Sequence, residues 1–227
     1  WERLRALWSE LELHTLLRQL PELAAAAVEE GEPALASPEA LAGYLARVPA
    51  GAALAVDWVG QGGPPDPEVT ALGLFHPAAG GARLAPAALS PLVPLIPLPP
   101  LSPAGGEGQG EGRGEREGDG LLGGRRLIGH DLKPVLEWWL GRGAAPPPFE
   151  DTAVAAYLLN PARTNYRLEE VCAEITGEGP GLAGAGARAQ WIWRLWERER
   201  VALDEAGLLA LYEEIERPLV PVLAAME

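Results

Sequence analysis

A chain of 227 residues with 48% hydrophobic and 22% charged side chains can bury a core of its own, which excludes a fibre, a disulfide-stapled miniprotein and a disordered tail. Its 32 acidic against 18 basic residues leave a formal charge of −14, a field that repels phosphate backbones and excludes a nucleic-acid binder working by long-range attraction. The single cysteine, Cys172, cannot close an internal disulfide and reads as a small buried hydrophobe, so the cytoplasm is the expected compartment. One lysine, Lys133, beside 17 arginines fits either a GC-rich genome or heat adaptation, and composition leaves both open.

The opening WERLRALWSE lacks the basic head and cleavage site of a secretory signal, and none is expected. Leu4, Leu7, Trp8, Leu11 and their successors to Leu20 recur at three- and four-residue steps, which predicts an amphipathic helix ending before Pro21. Ser37 followed by Pro38 predicts an N-cap and first turn of a helix running to about Arg47. ALAVDWV and VTALGLF, separated by QGGPPDP, predict a hairpin; 82–84 and 126–129 are two further short strands.

The most apolar stretch, 85–101, contains six prolines and cannot be a membrane-spanning helix. Residues 97–120 are a Gly/Glu-rich run with almost no side chain able to enter a core, which reads as a mobile linker inserted in the fold. The remainder is helical: 131–140, 151–159 after an Asp-Thr cap, 167–175, 187–203 and 205–217, with Pro218 breaking the last and 177–186 a loose connection. Strands with interspersed helices followed by helices alone predict a mixed α/β sheet with a helical C-terminal extension.

Several chemistries find no residues to carry them. His14, His76 and His130 sit on different elements without partners at zinc-ligand spacing. The Gly-rich segment lacks the order of a phosphate-binding loop, no GxSxG elbow is present, and Cys172 falls inside a helix. One residue stands out: Asp57, a carboxylate in an apolar strand, reads either as a metal ligand or as a side chain turned outward. The five tryptophans from Trp138 to Trp196 fit a core better than a base-stacking platform, since Trp193 and Trp196 share a helix face with Leu203. Arg188, Arg194, Arg198 and Arg200, interleaved with Glu197 and Glu199, read as a salt-laced helix surface.

RRLIGHDLKPVLEWWLGRG, FEDTAVAAYLLNPARTNYRLEEVC and the closing IERPLVPVLAAME resemble, in this order, the proofreading-exonuclease region of family A DNA polymerases, the DNA polymerase I type. The opening ERLRALWSELELHTLLRQL is similar to the connector that follows that family's 5′-nuclease domain. The resemblance implies a ribonuclease H-like (DnaQ-type exonuclease) fold, a mixed sheet of about five strands flanked by helices. It divides the chain into a connector helix at 1–22, an exonuclease-like domain at 23–203 and a helical segment at 204–227 leading towards a polymerase domain, as in a piece cut from a longer protein.

Active members of this family hold two divalent metals with carboxylates from three motifs, so the resemblance assigns each position a role. The Asp-Xaa-Glu motif falls on Asp57 and Val59, the second motif's Asp on Val135, and the third motif's Tyr and Asp on Ala183 and Ala187. One carboxylate of four survives, too few to hold two cations about 3.5–4 Å apart. Asp131 and Glu137 flank the second motif position without coinciding with it. The expectation is a catalytically inactive domain without metal or other cofactor, Mg²⁺ being needed only in the parent polymerase domain.

Its partners would be the polymerase and 5′-nuclease domains of the same chain, with DNA met through the parent protein, no membrane, and a cytoplasmic, nucleoid-associated location. Two rivals stand beside this reading: a residual 3′–5′ exonuclease using Asp57 with Asp131 or Asp151, and a single-stranded nucleic-acid binding module.

Overall fold

The computed structural model describes residues 33–61, 68–85, 124–141, 146–177, 179–180 and 184–226. The predicted opening helix, the 97–120 linker, His14 and Ala183 lie outside the described residues. The elements are β1 (Ala34–Leu35), α1 (Pro38–Leu45), β2 (Leu54–Gln61), β3 (Glu68–His76), β4 (Gly80–Leu84), β5 (Leu127–Gly129), α2 (Lys133–Leu140), β6 (Phe149–Asp151), α3 (Thr152–Leu159), α4 (Leu168–Thr176), α5 (Ala185–Glu205), α6 (Leu209–Leu211), a π-helical turn (Tyr212–Glu216) and α7 (Arg217–Ala225).

The strands form one six-stranded sheet in the order β1-β4-β3-β2-β5-β6. β2, β3 and β4 make an antiparallel meander, as the two apolar runs around QGGPPDP predict, while β5 and β6 lie parallel to β2 and β1 lies parallel to β4. The sheet is larger than the sequence predicts because β1 and β6 are two and three residues long, too short to show a period.

Alternation along β2 sends Leu54 and Val56 into one hydrophobic cluster and Ala55 into another, so the sheet is covered on both faces. The first cluster gathers α1, α2 and α7 through Leu41, Tyr44, Trp139 and Val220; the second gathers α4 and α5 through Val171, Cys172, Ile192 and Leu195. Trp138 and Trp139 are core, and Trp191, Trp193 and Trp196 pack half-buried against it.

Local signals explain most helix ends. Ser37 caps α1 by accepting from the Ala40 amide at 3.2 Å, and Asp151 caps α3 by accepting from that of Ala153 at 2.9 Å. Pro218 does not break the C-terminal helix as expected: the chain widens into the π-turn and α7 restarts with Pro218 in its first turn, where a missing N–H costs little. Arg217 then ties α7 to the sheet through the buried carboxylate of Glu150 on β6, at 2.9 and 3.0 Å.

The last two residues of the stretch read as a loose connection, 185–186, already belong to α5. A Cβ on Gly73 of β3 would lie 1.9 Å from the Ala185 carbonyl oxygen, and one on Gly186 would lie 2.7 Å from the Ala82 amide nitrogen. Glycines on both sides let the first turn of α5 lie directly on β3 and β4.

Candidate functional site

Asp57 lies midway along β2 opposite Gly73, on the sheet face that α5 covers, and is 7% exposed. Because α5 is seated so closely, its first turn delivers Arg188 to the strand: Nε donates to Asp57 Oδ2 at 3.0 Å. The same guanidinium donates through Nη1 to Oε1 of Glu169, in the first turn of α4. Arg188 is therefore turned to the sheet and is not part of a helix-surface charge lattice. Arg194 and Arg198 keep nearer to the surface role, one over the Trp191 ring at 5.2 Å and the other donating to the Ile175 carbonyl at 3.0 Å.

The electrostatics of this trio are mutually reinforcing. Burial disfavours the Arg188 charge, but Asp57 and Glu169 outweigh it and hold the guanidinium above its ordinary pKa. Burial likewise acts to raise the Glu169 carboxyl, and the hydrogen bond and charge of Arg188 overcome it, leaving that group below the usual carboxylate range.

The other implied positions carry no ligand chemistry. Val59, 41% exposed, gives its carbonyl to the Thr70 hydroxyl at 3.0 Å. Val135 is 2% exposed inside the cluster with Leu136 and Trp139. Ala187 sits half-buried in the first turn of α5, one residue before the arginine that meets Asp57. The fold thus sets Arg188, the residue after Ala187, against Asp57. As a two-metal cage these residues do not fit, because the surviving carboxylate is already bonded to a guanidinium that cannot be deprotonated.

Of the substitute carboxylates, Asp151 is committed to backbone amides. Asp151, 1% exposed, accepts from the amides of Asp131 at 3.0 Å, Leu132 at 2.8 Å and Ala153 at 2.9 Å. Burial raises its pKa against the pull of those backbone donors. Asp131 has a left-handed φ of 54°, and its carbonyl accepts from the Trp58 indole at 3.1 Å; partial burial of its carboxyl and the nearby Asp151 charge raise its pKa. Buried Glu137 pairs with Lys133 one helical turn before it, at 3.5 Å.

His130 contacts the Tyr166 carbonyl through Nε2 at 2.6 Å, which requires a proton there, and the Thr152 hydroxyl through Nδ1 at 2.7 Å. Burial holds this imidazole below its ordinary pKa. His76 accepts the Ala78 amide at 3.1 Å and meets the Trp193 ring edge-on. Among the described residues no group of three or more His, Cys, Asp or Glu side chains could hold a metal ion.

Two features were not legible in the sequence. A cavity of about 520 Å³ opens beside the β5 and β6 carboxyl ends, lined among others by Lys133, Tyr157, Tyr166, Arg167 and Leu223, and it does not include Asp57 or Arg188. Glu199 is wholly buried on the core face of α5 with both carboxyl oxygens unpartnered. Cys172 nearby is buried, and burial first, then the Glu199 and Glu169 charges, push its thiol up to about 12.

A mixed six-stranded sheet with helices on both faces is a ribonuclease H-like, DnaQ-type fold. In sequence the chain is homologous to DNA polymerase I over about 100 residues. It is 34% identical over 97 residues to DNA polymerase I of Treponema pallidum, covering 34% of this chain and 10% of that protein. It is 38% identical over 105 residues to the thermostable DNA polymerase I of Thermus aquaticus, covering 45% and 12%. The enzyme of Thermus filiformis is 42% identical over 103 residues, covering 45% and 11%. The chain therefore spans about a tenth of the curated relatives it matches.

Among solved structures, the POL domain of Pol1 from M. smegmatis, in complex with DNA primer-template and dNTP, superposes with a TM-score of 0.62 at 21% identity, covering 84% of this chain and 31% of that one. Escherichia coli RNase D, an exoribonuclease, gives 0.59 at 16% identity, covering 86% and 50%. Brucella melitensis NrnC with bound Mg²⁺ gives 0.54 at 14% identity, covering 86% and 90%. At these identities the likeness is one of fold. No family model matches the sequence.

Proposed function

We propose that this chain is the proofreading-exonuclease-like domain of a bacterial DNA polymerase I in which the exonuclease reaction has been lost and a structural role kept. The observation that carries the reading is the Arg188 guanidinium bonded to Asp57, with valines at two further ligand positions. A cation fixed by the chain cannot exchange waters, lower the pKa of one or stabilise a leaving oxygen, which is the work of the paired metals in this chemistry. On this reading the domain takes no cofactor, and Mg²⁺ belongs to the polymerase domain of the parent, a DNA-directed DNA polymerase of the cytoplasm that meets DNA in replication and repair.

The structural role is to space a 5′-nuclease domain from the polymerase domain and to buttress the latter. Ile215, Leu219, Val222 and Met226 supply the surface for it: 42–77% exposed, they recur at three- and four-residue steps along the C-terminal helical segment. Among the described residues no helix is long and apolar enough to cross a membrane. The rival exonuclease is weakened because Asp151 is taken up by backbone amides, and the single-strand binder because the tryptophans pack against the core.

The test is release of nucleotides from a 3′-labelled mismatched primer in the presence of Mg²⁺ or Mn²⁺. No release above background is expected. Turnover that disappears in Asp57→Ala would overturn the reading.

A further inference from the structure

We propose that the cavity beside the carboxyl ends of β5 and β6 binds a small organic ammonium ion, with Asp131 as the carboxylate that meets its charge and Tyr157, Tyr166 and Leu223 as the walls that take its apolar stem. The site goes beyond the structural role proposed above and uses neither Asp57 nor Arg188, so the two readings stand or fall separately.

The cavity holds about 520 Å³, within the range of small-molecule sites. Among its lining residues the Tyr157 and Tyr166 rings meet edge to face with centroids 5.8 Å apart, and the Tyr166 hydroxyl is fixed by donating to the Asn160 carbonyl at 3.0 Å. Tyr157 and Leu223 remain 47% and 43% exposed, apolar surface that an occupant would cover. Aromatic rings beside a carboxylate suit an ammonium group, which is drawn to ring faces and to negative charge alike.

The sign of the ligand's charge follows from which groups are already engaged. An anion would find its donors taken: the amides of Asp131, Leu132 and Ala153 all donate to Asp151, Lys133 lies 3.5 Å from Glu137, and Arg167 stands near enough to Glu169 to lower its pKa. A cation would find Asp131. Its main chain is held at both ends, the amide by Asp151 and the carbonyl by the Trp58 indole, yet its carboxyl accepts no hydrogen bond among the described residues. The φ of 54° that turns it there is costly for a residue with a side chain, and such strain gathers at ligand sites. Partial burial and the Asp151 charge oppose ionisation of this carboxyl and outweigh His130 and Lys133, so a bound ammonium would relieve an unfavourable charge. At long range the formal charge of −14 draws cations in.

The experiment titrates the full 227-residue chain, at a pH above the ordinary carboxylate range, with benzylammonium and separately with benzyl alcohol and benzoate, which keep the ring and change only the charge. Calorimetry reads binding for the wild type, Asp131→Asn, Leu223→Ser and Glu197→Gln. Asparagine keeps the size of the side chain and tolerates the left-handed backbone, so that variant is designed to fold. Benzylammonium should occupy one saturable site per chain, about tenfold more tightly than benzyl alcohol, and benzoate none.

Asp131→Asn should remove the tenfold preference and leave benzyl alcohol unchanged, Leu223→Ser should weaken both ligands, and Glu197→Gln, an exposed acid on α5, should change neither. No saturable benzylammonium site, benzoate bound as tightly, a preference that survives in Asp131→Asn, or an equal loss in Glu197→Gln would each overturn the proposal. Should Asp131→Asn fail to fold, the order of the three ligands on the wild type and the Leu223→Ser result still decide it. Exonuclease turnover would sink the proposed function and leave these titrations untouched.

Discussion

Glu199 lies among Ala189, Ile192, Leu195 and Leu203, the residues that make the buried face of α5, and among the described residues no donor reaches either of its oxygens. Burial raises its pKa well above 4.5, the Asp151 charge adds to the rise, and Arg163 opposes it. A carboxyl raised in the folded state contributes stability that is complete below the unfolded value of 4.5 and is lost as pH rises through the folded one. Stability should therefore fall as pH rises from 4.5 to the folded value. Glu199→Met, similar in length and free of polar atoms, should raise stability by about 1–3 kcal/mol near neutrality. Its advantage over the wild type should widen between pH 5 and pH 8 in thermal unfolding, and a pH-independent difference would count against a buried neutral acid. At this scale the sequence shows Asp57, a carboxylate in an apolar run, but hides its partners. Glu199 looks like one more charge in WERERVALDE, and Glu169 like a helix-surface acid in RLEEVC, because a side chain's direction depends on where its helix is seated.

Helix seating turns on a few small residues. Ser37-Pro38 and Asp151-Thr152 were readable as helix starts because capping is local chemistry. The seating of α5 was not: its start falls within two residues of the prediction, but composition does not show that Gly186 allows backbone contact with β4 and that Gly73 allows the same on β3. Gly73→Ala should therefore destabilise the fold by about 3 kcal/mol, since a methyl group 1.9 Å from a carbonyl oxygen must push α5 off the sheet. Gly43→Ala in α1 is the control. Its Cβ meets nothing within 4 Å, so relief of the helix-interior glycine should stabilise by about 0.5–1 kcal/mol. Urea midpoints for the two variants should move in opposite directions, and equal shifts would contradict the close seating that aims Arg188 at Asp57.

Across the whole molecule the formal charge is −14, and the field of such a chain opposes an approaching phosphate backbone at distances where no contact is yet made. Attraction would have to arise locally, from cations with nothing else to bind and aromatic faces open to bases. The described residues offer little of either near α5: Arg188 is held by two carboxylates, Arg194 lies over the Trp191 ring, and Trp193 and Trp196 pack against core clusters. Fold class was legible in the order of apolar runs and helix caps, and likeness to the polymerase segments supplied its name, but the polarity of the site was decided by contacts between residues more than a hundred positions apart. The isolated 227 residues should accordingly bind a fluorescent single-stranded oligonucleotide only weakly, even at low salt where Debye screening is least. Titration by fluorescence anisotropy is the measurement. Micromolar or tighter binding that weakens in Trp191→Ala or Arg194→Ala would show that the cation–ring pair opens to admit a base, and would move the functional reading to single-strand recognition.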